Sequence, residues 1–139
     1  MSEAALHISI FSENSTALDA VLSLWRKQAP AYAYISTDGV TPKRPPAQRY
    51  LARTAPVCGP TCDDADIDTF WHGNKEFGKG HDGVVQETCR DLGHTQMLLA
   101  AYANFAESAY HQGLDLYAEV KERLMVRIIL LFSKIRKVE

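Results

Sequence analysis

Cysteine is scarce and odd in number: Cys58, Cys62 and Cys89 are the three in the chain. An odd count excludes a fully paired disulfide framework as the basis of stability. Cys58-Gly-Pro-Thr-Cys62 would close a small loop in an oxidising compartment or stand as two reduced loop thiols, and the residues leave both open. Long apolar runs are missing as well. The longest, Ile128 to Phe132, is far shorter than the roughly 20 residues a bilayer needs, so no membrane partner is expected. Met1 to Ile10 lacks a basic start followed by a long apolar core, and therefore does not read as a secretory signal. An excess of positive charge is also lacking. A net charge of -2 gives no electrostatic case for nucleic acid. The one basic run, Lys134, Arg136 and Lys137, lies where a last helical turn favours cations anyway.

What is there reads as one domain over residues 1–139. A chain of this length buries roughly 65–70% of its unfolded surface. Hydrophobic residues make up 46% and charged ones 23%, near globular averages, which excludes whole-chain disorder.

Asn14 or Ser15 can cap a first helix with Asp19 in its early turns. Leu18, Val21, Leu22 and Trp25 fall on one face of it. Pro30 is expected to end that helix and to push Ala29 toward an extended conformation. Tyr32 to Thr37 has strand character, with Tyr32, Tyr34 and Ser36 on one face, before a turn at Asp38-Gly39. Thr41 to Pro46 reads as extended surface and Tyr50 to Pro60 as loop. Acidic Cys62 to Asp68 and the Gly- and His-rich Thr69 to Gly83 read as a long irregular connection, which in a compact domain is usually functional or mobile. Trp71 and Phe77 are suited either to anchor that connection or to stack on a ligand.

Asp91 is the expected N-cap of a helix over Leu92 to Gln112. Leu98, Ala101, Tyr102, Phe105 and Ala109 make its apolar face, and Ala100, Ala103 and Ala106 add to a set of small residues that permits close approach of a neighbour. Gly113 is expected just past its end. After a turn at Leu114 to Tyr117, a last helix runs from about Ala118 toward Lys137, with Glu119 and Arg123 as an i, i+4 pair. Leu124, Ile128, Leu131 and Ile135 supply its apolar side. Two long helices joined by a short turn form an antiparallel αα-hairpin, and the class is mostly α.

Chemistry concentrates in Gly80 to Gln96, which sets amides, acids, an arginine, two histidines and a cysteine directly before the most helical run. Arg90 can fork onto a carboxylate, and Gln86 or Gln96 can donate an amide hydrogen bond. His94 lies at the expected helix start, and histidine exchanges protons near neutral pH, as a general base must. A helix N-terminus there favours anionic groups nearby. His81 and Tyr110 are weaker candidates. Each residue also has an ordinary reading. Arg90 and Asp91 can pair with Glu87 or cap the helix, His94 can be a core histidine bonded to a carbonyl, and Glu107 and Tyr110 can be packing or surface residues. Cys58, Cys62, His72 and His81 are permitted zinc ligands, but histidines ten and nineteen residues after a Cys-x3-Cys match no standard spacing, and no metal is assigned. A Cys89–His94 nucleophilic pair lacks an orienting partner beyond Asp91.

Gln86-Glu-Thr-Cys-Arg-Asp-Leu-Gly-His-Thr-Gln96, followed by Ala106-Glu107 and Gln112-Gly-Leu-Asp-Leu-Tyr117, resembles the alginate-lyase-type superfamily of polysaccharide lyases. Trp25 and Pro30-Ala-Tyr-Ala-Tyr-Ile-Ser-Thr-Asp-Gly39 resemble the segment preceding that block, so the likeness spans roughly Leu18 to Arg123. The resemblance implies a portion of an (α/α) toroid, built of helical hairpins with a short extended segment, whose groove takes an acidic polysaccharide such as alginate or glucuronan. It implies β-elimination at a 4-linked uronic acid, with no cofactor. Catalysis would fall to His94, Arg90 and Gln86, and substrate binding to Gln96, Glu87, His81 and Trp71. In that family the helices continue well beyond the equivalent of Arg123, with a tyrosine acid or base usually farther along. This chain ends at Glu139 and has Leu98 where glycine is usual, so it is expected to be one part of such a domain. Members are typically secreted or periplasmic. The alternative is a non-catalytic remnant that binds carbohydrate or self-associates through exposed helix faces, with Leu124 to Phe132 as the natural patch.

Overall fold

The computed structural model describes residues 2–46 and 64–135, with side chains except at 64–66 and 130–135. The expected loop at Tyr50 to Pro60, the Cys58–Cys62 pairing and the basic turn at Arg136 and Lys137 lie outside the described residues. The chain is mostly α. Its helices are α1 (Ser2–Phe11), α2 (Ser15–Tyr32), α3 (Asp64–Phe70), α4 (Leu92–Tyr110) and α5 (Leu116–Ile135), with a short 3-10 turn over Ser36–Asp38. Among the described residues no helix is long and apolar enough to cross a membrane.

Helix α1 has no counterpart in the sequence pattern, because its apolar residues follow neither a clean helical nor a strand period. It is held by Leu6, which is fully buried, and by side-chain bonds from Ser2 to Gln28 and from His7 to Ser108. It ends where the amides of Glu13 and Asn14 donate to the carbonyls of Ile10 and Ser9, both at 3.0 Å. This pattern places Glu13 in the left-handed region, at φ 51°. Asn14 then starts α2 at once, its side-chain oxygen accepting from the amide of Ala17 at 2.9 Å.

Pro30 does not end α2, which runs on to Tyr32. Tertiary packing outweighs the local preference. Ala29 and Ala31 are buried, and the Ala29 carbonyl accepts both the Ala33 amide at 3.1 Å and the Tyr102 hydroxyl at 2.8 Å. The expected strand shrinks accordingly. Tyr32 is helical, and Ala33 makes an isolated antiparallel bridge with Val85. Around that bridge the amides of Tyr34 and Gln86 donate to the carbonyls of Val84 and Tyr32, and the Gly83 amide donates to Tyr34.

Helices α4 and α5 form the expected hairpin. The Gly113 amide donates to the Tyr110 carbonyl and the Leu114 amide to Ala109, with Gly113 at φ 80°. Helix α5 starts two residues earlier than its pattern indicates, because Asp115 accepts from the Ala118 amide at 3.1 Å and so caps it. Glu119 and Arg123 each take a partner from another element: Arg26 of α2 holds Glu119 through two bonds of 2.8 and 2.7 Å, and Arg123 binds Asp38.

The main core joins Leu6, Leu22, Trp25, Ala29, Tyr102, Phe105, Ala106, Ala109, Leu116 and Val120. Trp25 stacks flat on Phe105, with centroids 4.9 Å apart, and burying each such ring contributes roughly 1.5–3 kcal/mol. The fully buried Ala106 and Ala109 let α4 approach its neighbours closely. A second cluster, Tyr34, Ile67, Trp71 and Val84 with Phe70 and Phe77, packs α3 beneath the connection that leads to α4.

Candidate functional site

The connection into α4 is fixed at both ends. At one end is the Ala33–Val85 bridge. At the other, Asp91 caps α4, its Oδ1 accepting from the amide of His94 at 2.8 Å. Between them the chain makes tight turns: the Thr88 amide donates to Val85, the Val85 amide to the Thr88 hydroxyl, and the Arg90 amide to Glu87. The Thr95 hydroxyl, buried one turn into α4, donates to the Asp91 carbonyl at 3.0 Å. These turns bring Glu87, Arg90, Asp91 and His94 onto one surface.

On that surface the contacts run in sequence. Nη1 of Arg90 donates to Oε1 of Glu87 at 2.8 Å, and its Nε lies 4.0 Å from Oδ2 of Asp91. The same Asp91 oxygen lies 2.5 Å from Nδ1 of His94. The His94 backbone amide, and then its ring and Arg90, hold the Asp91 carboxyl below the usual carboxylate range. Asp91 therefore stays an anion that orients the His94 ring through Nδ1 and turns Nε2 away from the carboxylate. His94 is half-exposed and bonded to a carboxylate, not to a backbone carbonyl, so it is not a satisfied core histidine. Among the described residues Nη2 of Arg90 makes no hydrogen bond.

The ordinary roles of this block are also filled: Arg90 pairs with Glu87, and Asp91 caps α4. Gln86 is buried, and its Nε2 donates to the Phe70 carbonyl, which ties the turn to the end of α3. It supports the site from beneath. Trp71 is completely buried against Phe77, so of its two open roles it takes the anchor. His81 faces Glu76, with 3.9 Å between Nδ1 and Oε2. Gln96 is exposed on α4. Tyr110 sits at the far end of the same helix, roughly 24 Å from His94 at 1.5 Å per residue, too far to share its chemistry. Glu107 bonds the Tyr117 hydroxyl and pairs with His111. Cys89 is a free, exposed thiol.

One residue enters that the pattern did not place here. Nε2 of His72 lies 3.9 Å from the Glu87 oxygen that holds Arg90. His72 follows α3, a seven-residue helix inside the segment expected to be irregular, too short to show a period. Among the described residues no group of three or more His, Cys, Asp or Glu has the geometry to hold a metal ion. Comparison with protein-family models, with curated proteins and with solved structures finds no match.

Proposed function

We propose that this chain is a polysaccharide-lyase-like protein that acts by β-elimination on a uronic-acid polysaccharide such as alginate or glucuronan, and that its helical hairpins are a portion of an (α/α) toroid. One observation carries the reading: the Asp91-held His94 ring stands beside an arginine with donors left over, on an accessible surface. The resemblance of Gln86 to Gln96 to the lyase block points the same way.

In this reading Arg90 faces the C6 carboxylate of the uronate and stabilises the negative charge that develops there as the C5 proton leaves. Neutral His94 takes that proton at Nε2, and the Asp91 carboxylate offsets the charge of the imidazolium so formed. The electron pair left at C5 forms the C4–C5 double bond, the C4–oxygen bond breaks, and the departing oxygen takes up a proton. Glu87 sets the direction of Arg90, and Gln86 fixes the turn that carries both.

Ultraviolet absorbance of the unsaturated uronate product tests the proposal on polymannuronate, polyguluronate and glucuronan. A rise that His94→Ala abolishes is expected and would name the substrate class. A flat trace from well-folded protein sinks the enzyme reading. A second reading, a non-catalytic module that self-associates, is favoured by the exposure of Met125, Ile128 and Ile129 on α5. Sedimentation at several concentrations separates them, since a monomer that turns over substrate leaves no room for it.

A further inference from the structure

We propose that His72 is the second proton-transfer group of this site, the acid that protonates the departing glycosidic oxygen of a 4-linked uronate while His94 removes the C5 proton. The proposal rests on the lyase reading above and adds the residue which that reading leaves open.

The first ground is position. His72 Nε2 and Arg90 Nη1 both meet Oε1 of Glu87, at 3.9 and 2.8 Å, while Arg90 Nε and His94 Nδ1 both meet Oδ2 of Asp91, at 4.0 and 2.5 Å. The two imidazoles thus flank one arginine, each next to a carboxylate. Side-chain exposures of 35% for His72 and 36% for His94 leave both rings open to a ligand held on that arginine.

The second ground is the backbone under His72. At the end of α3 the His72 amide donates to the Thr69 carbonyl at 3.1 Å, and the Gly73 amide donates to Asp68 at 2.8 Å. This is the same closing pattern that ends α4, where Gly113 occupies the left-handed position. At the end of α3 that position is filled by His72, at φ 52°, although glycine adopts it without steric cost. The left-handed turn sets the direction in which the His72 side chain leaves the end of α3, toward Glu87 in a surface cluster of titratable groups. Completely buried Trp71 on one side and the Gln86 bond to Phe70 on the other fix the turn that aims it.

The proton count closes. Neutral His94 becomes an imidazolium on taking the C5 proton, and the His72 imidazolium becomes neutral on giving its proton to the C4 oxygen. The bond electrons move from C5–H into the C4–C5 double bond and from C4–O onto the leaving oxygen. Transfer from His94 to His72 through solvent resets the pair. The charged groups around His72 are Glu87 with its partner Arg90, Asp91 beyond them, and the Asp68–Lys75 pair on its own segment.

The test compares the full chain with His72→Gly and His72→Asn on polymannuronate, polyguluronate and glucuronan, alongside thermal melting. Removing the strain should raise the melting temperature of His72→Gly by about 3 °C. Loss of the acid should lower its kcat at least about 100-fold with KM little changed. A group that must donate a proton in the reaction makes kcat of the unaltered protein fall on the alkaline side. In His72→Asn, whose side chain tolerates the left-handed conformation, that alkaline limb should disappear, which a purely structural role would not produce. Variants that keep kcat and the alkaline limb overturn the role of His72 and leave the lyase reading standing. A His72→Gly chain that melts below the parent overturns the argument from strain. Absence of turnover by the folded parent chain overturns both proposals together.

Discussion

Arg123 grips Asp38 in a two-pronged pair: Nη1 lies 2.6 Å from Oδ2, and Nη2 lies 2.7 Å from Oδ1. Nη1 also donates to the Ala33 carbonyl at 2.6 Å, so one guanidinium fastens α5 to the segment that carries the bridge under the site. The side chains are only 12% and 10% exposed, so neither charge can be left alone without a large desolvation cost. Asp38→Ala should therefore lower stability by about 3 kcal/mol. Chemical denaturation would check it. A loss no larger than that of an exposed pair, below about 1 kcal/mol, would mean that water reaches Arg123 freely.

Glu13 provides the mirror case to His72. It closes α1 at φ 51°, in a position where glycine avoids the steric cost of Cβ, and it lies in a helix-to-helix turn with no part in the candidate site. Glu13→Gly should stabilise the chain by about 1 kcal/mol and leave any activity unchanged. Thermal melting checks the sign. A decrease would show that the glutamate side chain makes up for the strain.

Caps were legible because their chemistry is local. Asn14, Asp91 and Gly113 each take the position their residue type favours, and they set the start of α2 and both ends of α4 within two residues. Pro30 was not legible, since what carries α2 past it is the Tyr102 hydroxyl on the Ala29 carbonyl, a contact 73 residues apart. Helix α3 was hidden by its length, and the Glu119–Arg123 pairing by competition from Arg26 and Asp38. Within the site, Glu87, Arg90, Asp91 and His94 were visible together because one turn and one cap suffice to gather them. His72 was not, because its approach to Glu87 depends on α3 docking beneath the bridge through Trp71 and the Gln86–Phe70 bond.

Gly83 occupies a point where two backbones meet. A Cβ there would lie 2.8 Å from the Arg127 nitrogen and the Val126 carbonyl carbon, and 2.9 Å from the Val126 oxygen, with φ already at +83°. Those are main-chain atoms of α5 and cannot swing aside as a side chain would. Arg127 is itself buried, bonding the Gly83 carbonyl at 3.3 Å, and burial pulls its guanidinium below its ordinary value. Gly83→Ala combines backbone strain with a clash and should cost about 3 kcal/mol. Equilibrium unfolding measures it, and a change under about 1 kcal/mol would mean that the connection can lift off α5.

Asp91 links the stability of α4 to pH. Its carboxyl is held below the ordinary value of 3.8, first by the His94 amide and then by the His94 ring and Arg90. A group depressed on folding stabilises the native state above its unfolded value, and that contribution is lost as pH falls through the folded value. Asp91→Asn keeps a capping oxygen but removes the charge. The variant should therefore be less stable than the parent at neutral pH, by an amount constant down to the ordinary carboxylate range. Below that range the gap should close as the parent takes up its proton. Melting curves of both chains from neutral to acid pH test the sign, and a gap that widened on acidification would mean that the charge on Asp91 opposes folding.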